Sequence, residues 1–288
     1  MKIFLSTTLL LAALAFFAGC SSKTYPVTNY QQAPVTADGN LSEWNRPLKF
    51  ISSGGQMQYN ITNDDSNLYV SLETHDEATV TKILRAGIDV YVDAEGGESK
   101  KVMLAFPLPN NDVHPEKRST NDAAAAANAK AEMRQELLIQ ANLFTVAGFK
   151  NMENRSYDIN DQSRIRVGLK QEPENGLGYE AAIPFKYIFA NPSDKNKKNI
   201  SVGIVINAMK EGQRPGGGNS TGRGQMPGGG GRGMGGGGGG RGMHGGGGGG
   251  GTRPSRSGGE GEASIPDRTA MMTQDANWYK FKLATAKK

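Results

Sequence analysis

Ile88-Asp89-Val90-Tyr91-Val92-Asp93, then residues 94–100 with Gly96-Gly97, then Val102-Met103-Leu104-Ala105-Phe106: this stretch contains the plan of the chain. Its first half alternates apolar and polar residues, the period of a strand with one buried face. The glycine pair supplies a turn, and the second run is apolar enough to return as a partner, so the two read as a hairpin.

The same signals repeat on either side. Upstream, Gln56-Met57-Gln58-Tyr59-Asn60-Ile61 alternates, Asn63-Asp64-Asp65-Ser66-Asn67 is a turn, and Leu68-Tyr69-Val70-Ser71-Leu72-Glu73 begins another strand. Downstream, strands are expected over residues 143–149, 164–169, 178–183, 200–208 and 278–283. One segment breaks the pattern. Residues 121–140, NDAAAAANAKAEMRQELLIQ, contain strong helix formers and no Gly or Pro. Asn121 or Asp122 can cap this helix, and Met133, Leu137 and Leu138 share one face. Many short strands, frequent turns and one helix predict an all-β fold: a β-sandwich of about ten strands with one inserted amphipathic helix packed on a sheet.

The N-terminus carries an address. MKIFLSTTLLLAALAFFAGC has a positive Lys2, an apolar run from residue 3 to 17, and small residues before Cys20. The run is too short to span a bilayer as a helix. Phe17-Ala18-Gly19-Cys20 resembles the bacterial lipobox, with Phe17 in place of the usual Leu. The reading is a signal peptide over residues 1–19, lipidation at Cys20, the only cysteine of the chain, and a polar tether over residues 20–34. Several acyl chains on one cysteine give stable anchoring. By resemblance to Gram-negative sorting patterns, Ser21 after the cysteine implies the outer membrane.

The 288 residues include 40 glycines, and most of these fall between residues 213 and 262. That stretch also holds Arg214, Arg223, Arg232, Arg241, Arg253 and Arg256, the first four evenly spaced. Setting it and Lys2 aside leaves 26 basic and 26 acidic residues, so the net charge of +5 is no evidence that the folded body binds nucleic acid or anionic lipid. A calcium β-roll needs Asp in its nonapeptides, and the stretch has none. A tract that binds single-stranded nucleic acid interleaves aromatic residues for stacking, and these are absent too. The stretch therefore reads as a disordered Gly/Arg-rich insertion between adjacent strands, with no nucleic-acid partner. The sandwich then comprises residues 35–212 and 263–288.

Ala37-Asp38-Gly39-Asn40-Leu41-Ser42-Glu43-Trp44 resembles the opening of the family 9 carbohydrate-binding modules. The resemblance continues in Asn63-Asp64-Asp65-Ser66-Asn67-Leu68-Tyr69-Val70 and in Gly87-Ile88-Asp89-Val90-Tyr91-Val92-Asp93, so it covers roughly residues 33–110. It implies a β-sandwich in which Trp44 belongs to the core. Together with the lipobox and the glycine stretch, the whole resembles lipoproteins of Bacteroidetes-type bacteria. Sugar sites in the family clamp the ligand between two Trp side chains. This chain has two, Trp44 and Trp278, and neither is evidently free for that role; Tyr25, Tyr30 and Tyr157 could form a weaker platform. Some relatives bind calcium near the Asp-Gly turn. Asp38, Asp64 and Asp65 are the ligand set this implies, with Asp76, Asp93 and Glu95 as further oxygen donors.

Nothing points to a reaction. His75, His114 and His244 stand in no spaced metal motif, and no P-loop or nucleophile elbow occurs. The expectation is a non-catalytic, lipid-anchored envelope protein without a cofactor that binds a glycan. The rival expectation is a structural or assembly lipoprotein that binds another envelope protein. An exposed aromatic platform favours the first, and a dry apolar patch the second.

Overall fold

The computed structural model describes residues 26–110, 123–161, 164–196, 199–210 and 268–286. Twelve strands form two sheets of six. The first sheet contains β1 (Asn29–Tyr30), β2 (Phe50–Ile51), β3 (Gln58–Asn63), β4 (Asn67–Thr74), β9 (Arg166–Glu172) and β10 (Gly176–Pro184). Its order is β3-β4-β10-β9, with β1 and β2 following one another along the free side of β3. The second sheet runs β12-β11-β5-β6-β7-β8. Its strands are β5 (Ile88–Asp93), β6 (Met103–Phe106), β7 (Leu143–Ala147), β8 (Ser156–Asp158), β11 (Ile200–Ile206) and β12 (Asp275–Phe281).

The founding hairpin is present. β5 and β6 pair antiparallel with Val90 opposite Leu104 and Tyr91 opposite Met103. Its inward residues, Ile88, Val90 and Val92, meet Leu68, Val70 and Leu72 of β4 and Leu177, Tyr179 and Ile183 of β10 in one core. Removing side chains of this size from water contributes about 1.5–3 kcal/mol each, which makes this layer the main source of stability. β11 and β12 are antiparallel neighbours over seven residue pairs. The chain therefore leaves one strand and returns in its partner, and residues 213–262, which lie between them, fall outside the described residues.

The expectation of one helix is corrected. Four α-helices occur among the described residues: α1 (Glu77–Ala86), α2 (Ala123–Gln140), α3 (Phe185–Ile188) and α4 (Arg268–Met272). α1 begins where the Asp76 carboxylate accepts from the Thr79 N–H at 2.8 Å, a standard N-cap. It stops at Gly87, whose φ of 85° other residues avoid. Val80, Ile83 and Leu84 put its apolar face into the core.

α2 fills residues 123–140 of the expected span, and its first two expected residues lie outside the described ones. Leu137 is buried, and Met133 and Leu138 pack half-buried against the core. The alanines at its start are mostly exposed, so only its last two turns are amphipathic. It rests on α1, through an ion pair from Lys130 to Glu77 and an Arg85 Nη2 contact to the Met133 sulfur at 2.9 Å. It also rests on the β9–β10 hairpin, where Arg134 donates to the Asn175 carbonyl and Gln135 to the Gln171 side chain.

Candidate functional site

The two outward faces of the sandwich are finished in opposite ways. On the first sheet, residues 35–48 lie across β4, β10 and β9 and form a second small core of Val35, Leu41, Trp44 and Leu48 against Tyr69 and Ala182. Two glycines let the loop backbone approach. A Cβ on Gly168 would lie 2.3 Å from the Asp38 carbonyl carbon, and one on Gly178 would lie 2.5 Å from the Gly39 oxygen. Glu180, mid-strand and fully buried, holds the loop down. Its carboxylate accepts from Trp44 Nε1 at 2.6 Å, from the Gly39 N–H at 2.7 Å and from the Asp38 N–H at 3.0 Å. Burial pushes this carboxyl up to about 7, against the pull of the Trp44 and Gly39 hydrogen bonds. Trp44 is thus a buried fixing point for the loop, as the resemblance implies, and is unavailable to stack on a ligand.

The calcium set does not assemble. The Asp38 carboxylate accepts from the Asn40 N–H, closing its own turn. Asp64 accepts from the Ser66 and Asn67 N–H groups and from the Tyr69 hydroxyl. Asp65 accepts from the Tyr30 hydroxyl at 2.9 Å. The Asp38 and Asp64 bonds to backbone N–H groups form their turns, and among the described residues no three His, Cys, Asp or Glu side chains are placed to hold a metal ion. Asp76 is spent on capping α1, and Asp93 accepts from the Glu95 and Ser99 N–H groups. Tyr157 is buried against Phe144 and offers no platform. Cys20, Tyr25, His114 and His244 lie outside the described residues.

On the outward face of the second sheet the register brings together residues far apart in sequence. Trp278 of β12 stands opposite Gly203 of β11, which stands opposite Tyr91 of β5. A Cβ on Gly203 would lie 2.6–2.8 Å from three atoms of the indole, so the ring lies face-down on the glycine. Only a residue without a side chain permits this. Trp278 and Tyr91 are near-parallel, 20° apart in plane with centroids 6.0 Å apart. The indole is partly exposed, Tyr91 is mostly covered, and the Lys100 ammonium sits 5.5 Å from the phenol centroid. The Tyr91 hydroxyl donates to Asp89, which also accepts from the Asn207 side-chain amide. Burial and the Asp89 charge push this phenol up to about 12, so it stays a neutral donor. The result is a partly exposed indole laid flat on the sheet beside a covered Tyr91, with polar groups at its rim; the apolar face of a sugar ring can stack on such an indole.

A second polar feature lies at the end of the first sheet. Arg46 is ion-paired with Glu73 at 3.1 Å and Glu172 at 2.8 Å, and His75 approaches Glu73 at 3.1 Å. Arg46, Glu73 and His75 border an open cleft of about 630 Å³. Both carboxylates turn to one guanidinium, which fixes the loop carrying Arg46 to the end of the sheet.

Sequence reasoning left Trp278 unassigned and missed Tyr91 as its partner. One signal was available: Tyr91 shares the parity of Asp89 and Asp93, and an aromatic residue on the polar face of an alternating strand faces outward. Its pairing with Trp278 across Gly203 depends on strand register, which no local pattern encodes. Neither the models of known protein families nor the curated proteins give a match to this chain.

Proposed function

We propose that this is a non-catalytic glycan-binding lipoprotein, anchored through Cys20 to the outer membrane, with its ligand seated on the open face of the second sheet. The observation that supports it is the indole of Trp278 lying flat over Gly203 beside Tyr91 and partly exposed. Stacking of sugar C–H groups on that indole, with Lys100 and the rim side chains meeting hydroxyls, is the recognition mode such a surface suits.

The chain carries its own reporter. Trp44 is buried and Trp278 is partly exposed, so a ligand-dependent change in indole emission reports Trp278. Titration with soluble polysaccharides and oligosaccharides should give a saturable change that Trp278→Ala abolishes along with binding. No binding across neutral and acidic glycans, or binding that survives the substitution, removes this reading.

A protein partner is the second reading, and one observation favours it. Ile139 at the end of α2 and Leu143 at the start of β7 are 77% and 42% exposed, with no apolar cover. Cross-linking in intact cells from a photoreactive residue at the neighbouring, exposed position 140 to one recurrent envelope protein, lost on Ile139→Glu with Leu143→Glu, would establish that reading instead.

A further inference from the structure

Five large apolar residues are exposed among the described ones, and two of them, Val27 (54%) and Ile51 (61%), sit along one lateral side of the sandwich where β1, β2 and β12 form the edges. Val27 and Phe50, the residue before Ile51, line a shallow depression with Tyr279. Below it Phe50 and Tyr59 both pack on Tyr279, at centroid distances of 4.7 and 5.0 Å. The space at its floor is about 10 Å³, no more than a single water needs, so the side offers a surface and not a cavity for a small molecule.

The charged residues that line this depression are lysines. Lys49 and Lys280 line it, the Lys49 ammonium stands 5.3 Å over the Phe50 ring, and no Asp or Glu is among the lining residues. Lys282 follows on β12, exposed, and its backbone fixes the start of the described chain. Its N–H donates to the Pro26 carbonyl, and its carbonyl accepts from the Thr28 N–H, both at 3.0 Å. Apolar and tyrosine side chains ringed by lysines match the interfacial zone of a bilayer with anionic headgroups.

Chain length supplies the occupant. Only Ser21-Ser22-Lys23-Thr24-Tyr25 separate Cys20 from Pro26. Fully extended, that tether reaches about 20 Å, so a body anchored at Cys20 keeps the Pro26 side against the membrane. We propose that the lateral side carrying Val27, Phe50, Ile51 and Tyr279, with Lys49 and Lys282, docks on an anionic phospholipid surface and fixes the orientation of the sandwich. The inference rests on the reading of Cys20 as the lipidated residue. A lipid anchor and a basic patch are then two signals on one membrane, the combination that gives stable, oriented attachment.

Cys20 is the only cysteine, so in the acylated full-length protein Ile51→Cys is the single free thiol and takes one environment-sensitive fluorophore. The labelled protein is reconstituted in phosphatidylglycerol–phosphatidylcholine vesicles and in phosphatidylcholine alone, with Ile139→Cys as the distant control. The expected result is a blue shift and loss of quenching by aqueous iodide at position 51 in the anionic vesicles, reversed by high salt and by Lys49→Glu with Lys282→Glu, and absent at position 139. Equal emission at position 51 in both vesicles overturns the docking while leaving the anchor intact. An intact mass without acyl chains overturns the anchor, and the docking with it.

Discussion

The two outward faces of this sandwich use the same device for different ends. On the first sheet, Gly168 and Gly178 clear a floor for loop backbone, and a buried carboxylate, Glu180, locks the loop and Trp44 onto it. On the second sheet, Gly203 clears a floor for a ring, and the Trp278 indole laid on it stays partly exposed. A glycine on the outer face of a strand therefore says that something lies flat there. Whether that something is then covered decides between structure and recognition. In the first sheet the covering loop contributes to stability; in the second the partly exposed ring is where the proposed ligand would stack.

The largest expected effect tests the closed face. Glu180→Ala leaves the Trp44 Nε1 and Gly39 N–H donors buried without acceptors, each costing about 1–3 kcal/mol. The urea midpoint at pH 8 should fall by the equivalent of about 2–4 kcal/mol, whereas Trp278→Ala should change it by less than about 2 kcal/mol. Equal losses would mean that the open face is held as firmly as the closed one, and the contrast would collapse.

The same carboxylate sharpens the contrast through pH. In the folded chain Glu180 keeps its proton up to about 7, but in the unfolded chain only to about 4.3. Between those values the folded form binds the additional proton, so this group's contribution is fully present below about pH 4.3 and is lost as pH rises through 7. Relative to Glu180→Gln, which does not titrate, the native chain should lose roughly 3 kcal/mol of stability over that window. Paired denaturation series measure the difference directly. A flat difference curve would mean that the three N–H donors fully offset the cost of burying the charge.

How much of this was legible follows from range. The β5–β6 hairpin was readable because alternation and the Gly96-Gly97 turn are local, and the long strands of both sheets follow for the same reason. β1, β2 and β8 have two or three residues, too few to show a period. α1 was hidden by β-branched Thr79, Val80 and Thr81, although Asp76, the Val80-Ile83-Leu84 spacing and Gly87 mark its ends and face. The closed face was half legible. The Asp38-Gly39 turn and Trp44 stand out, but their acceptor lies 136 residues beyond Trp44 and is an ordinary glutamate in sequence. The open face needed the β11–β12 register, which bridges the glycine stretch. For the calcium candidates the sequence shows only acidic residues in turns; the Asn40 N–H bond to Asp38 and the Ser66 and Asn67 N–H bonds to Asp64 are visible only in the structure.

On the open face, Gly203→Ala asks whether the ring must lie flat. The added methyl would stand 2.6 Å from indole Cε2, so the ring must lift. Stability should fall by about 1 kcal/mol, and glycan affinity by up to about tenfold, the scale of one aromatic contact. Unchanged affinity with a lifted ring would shift recognition away from the indole face.

Tyr91→Phe is the smallest change and the finest test of the contrast. It keeps the ring beside Trp278 and removes only the hydroxyl that donates to Asp89 at 3.0 Å, while Asp89 retains the Asn207 amide. One such bond contributes about 0.5–1.5 kcal/mol to stability, and the denaturation midpoint should move by no more than that. Glycan affinity should stay within about twofold, because stacking uses the ring and not its hydroxyl. A loss as large as that of Trp278→Ala would place recognition on the Asp89–Tyr91 hydrogen bond. The open face would then resemble the closed one, both depending on a carboxylate that fixes an aromatic side chain, and the difference between them would reduce to the presence of the loop.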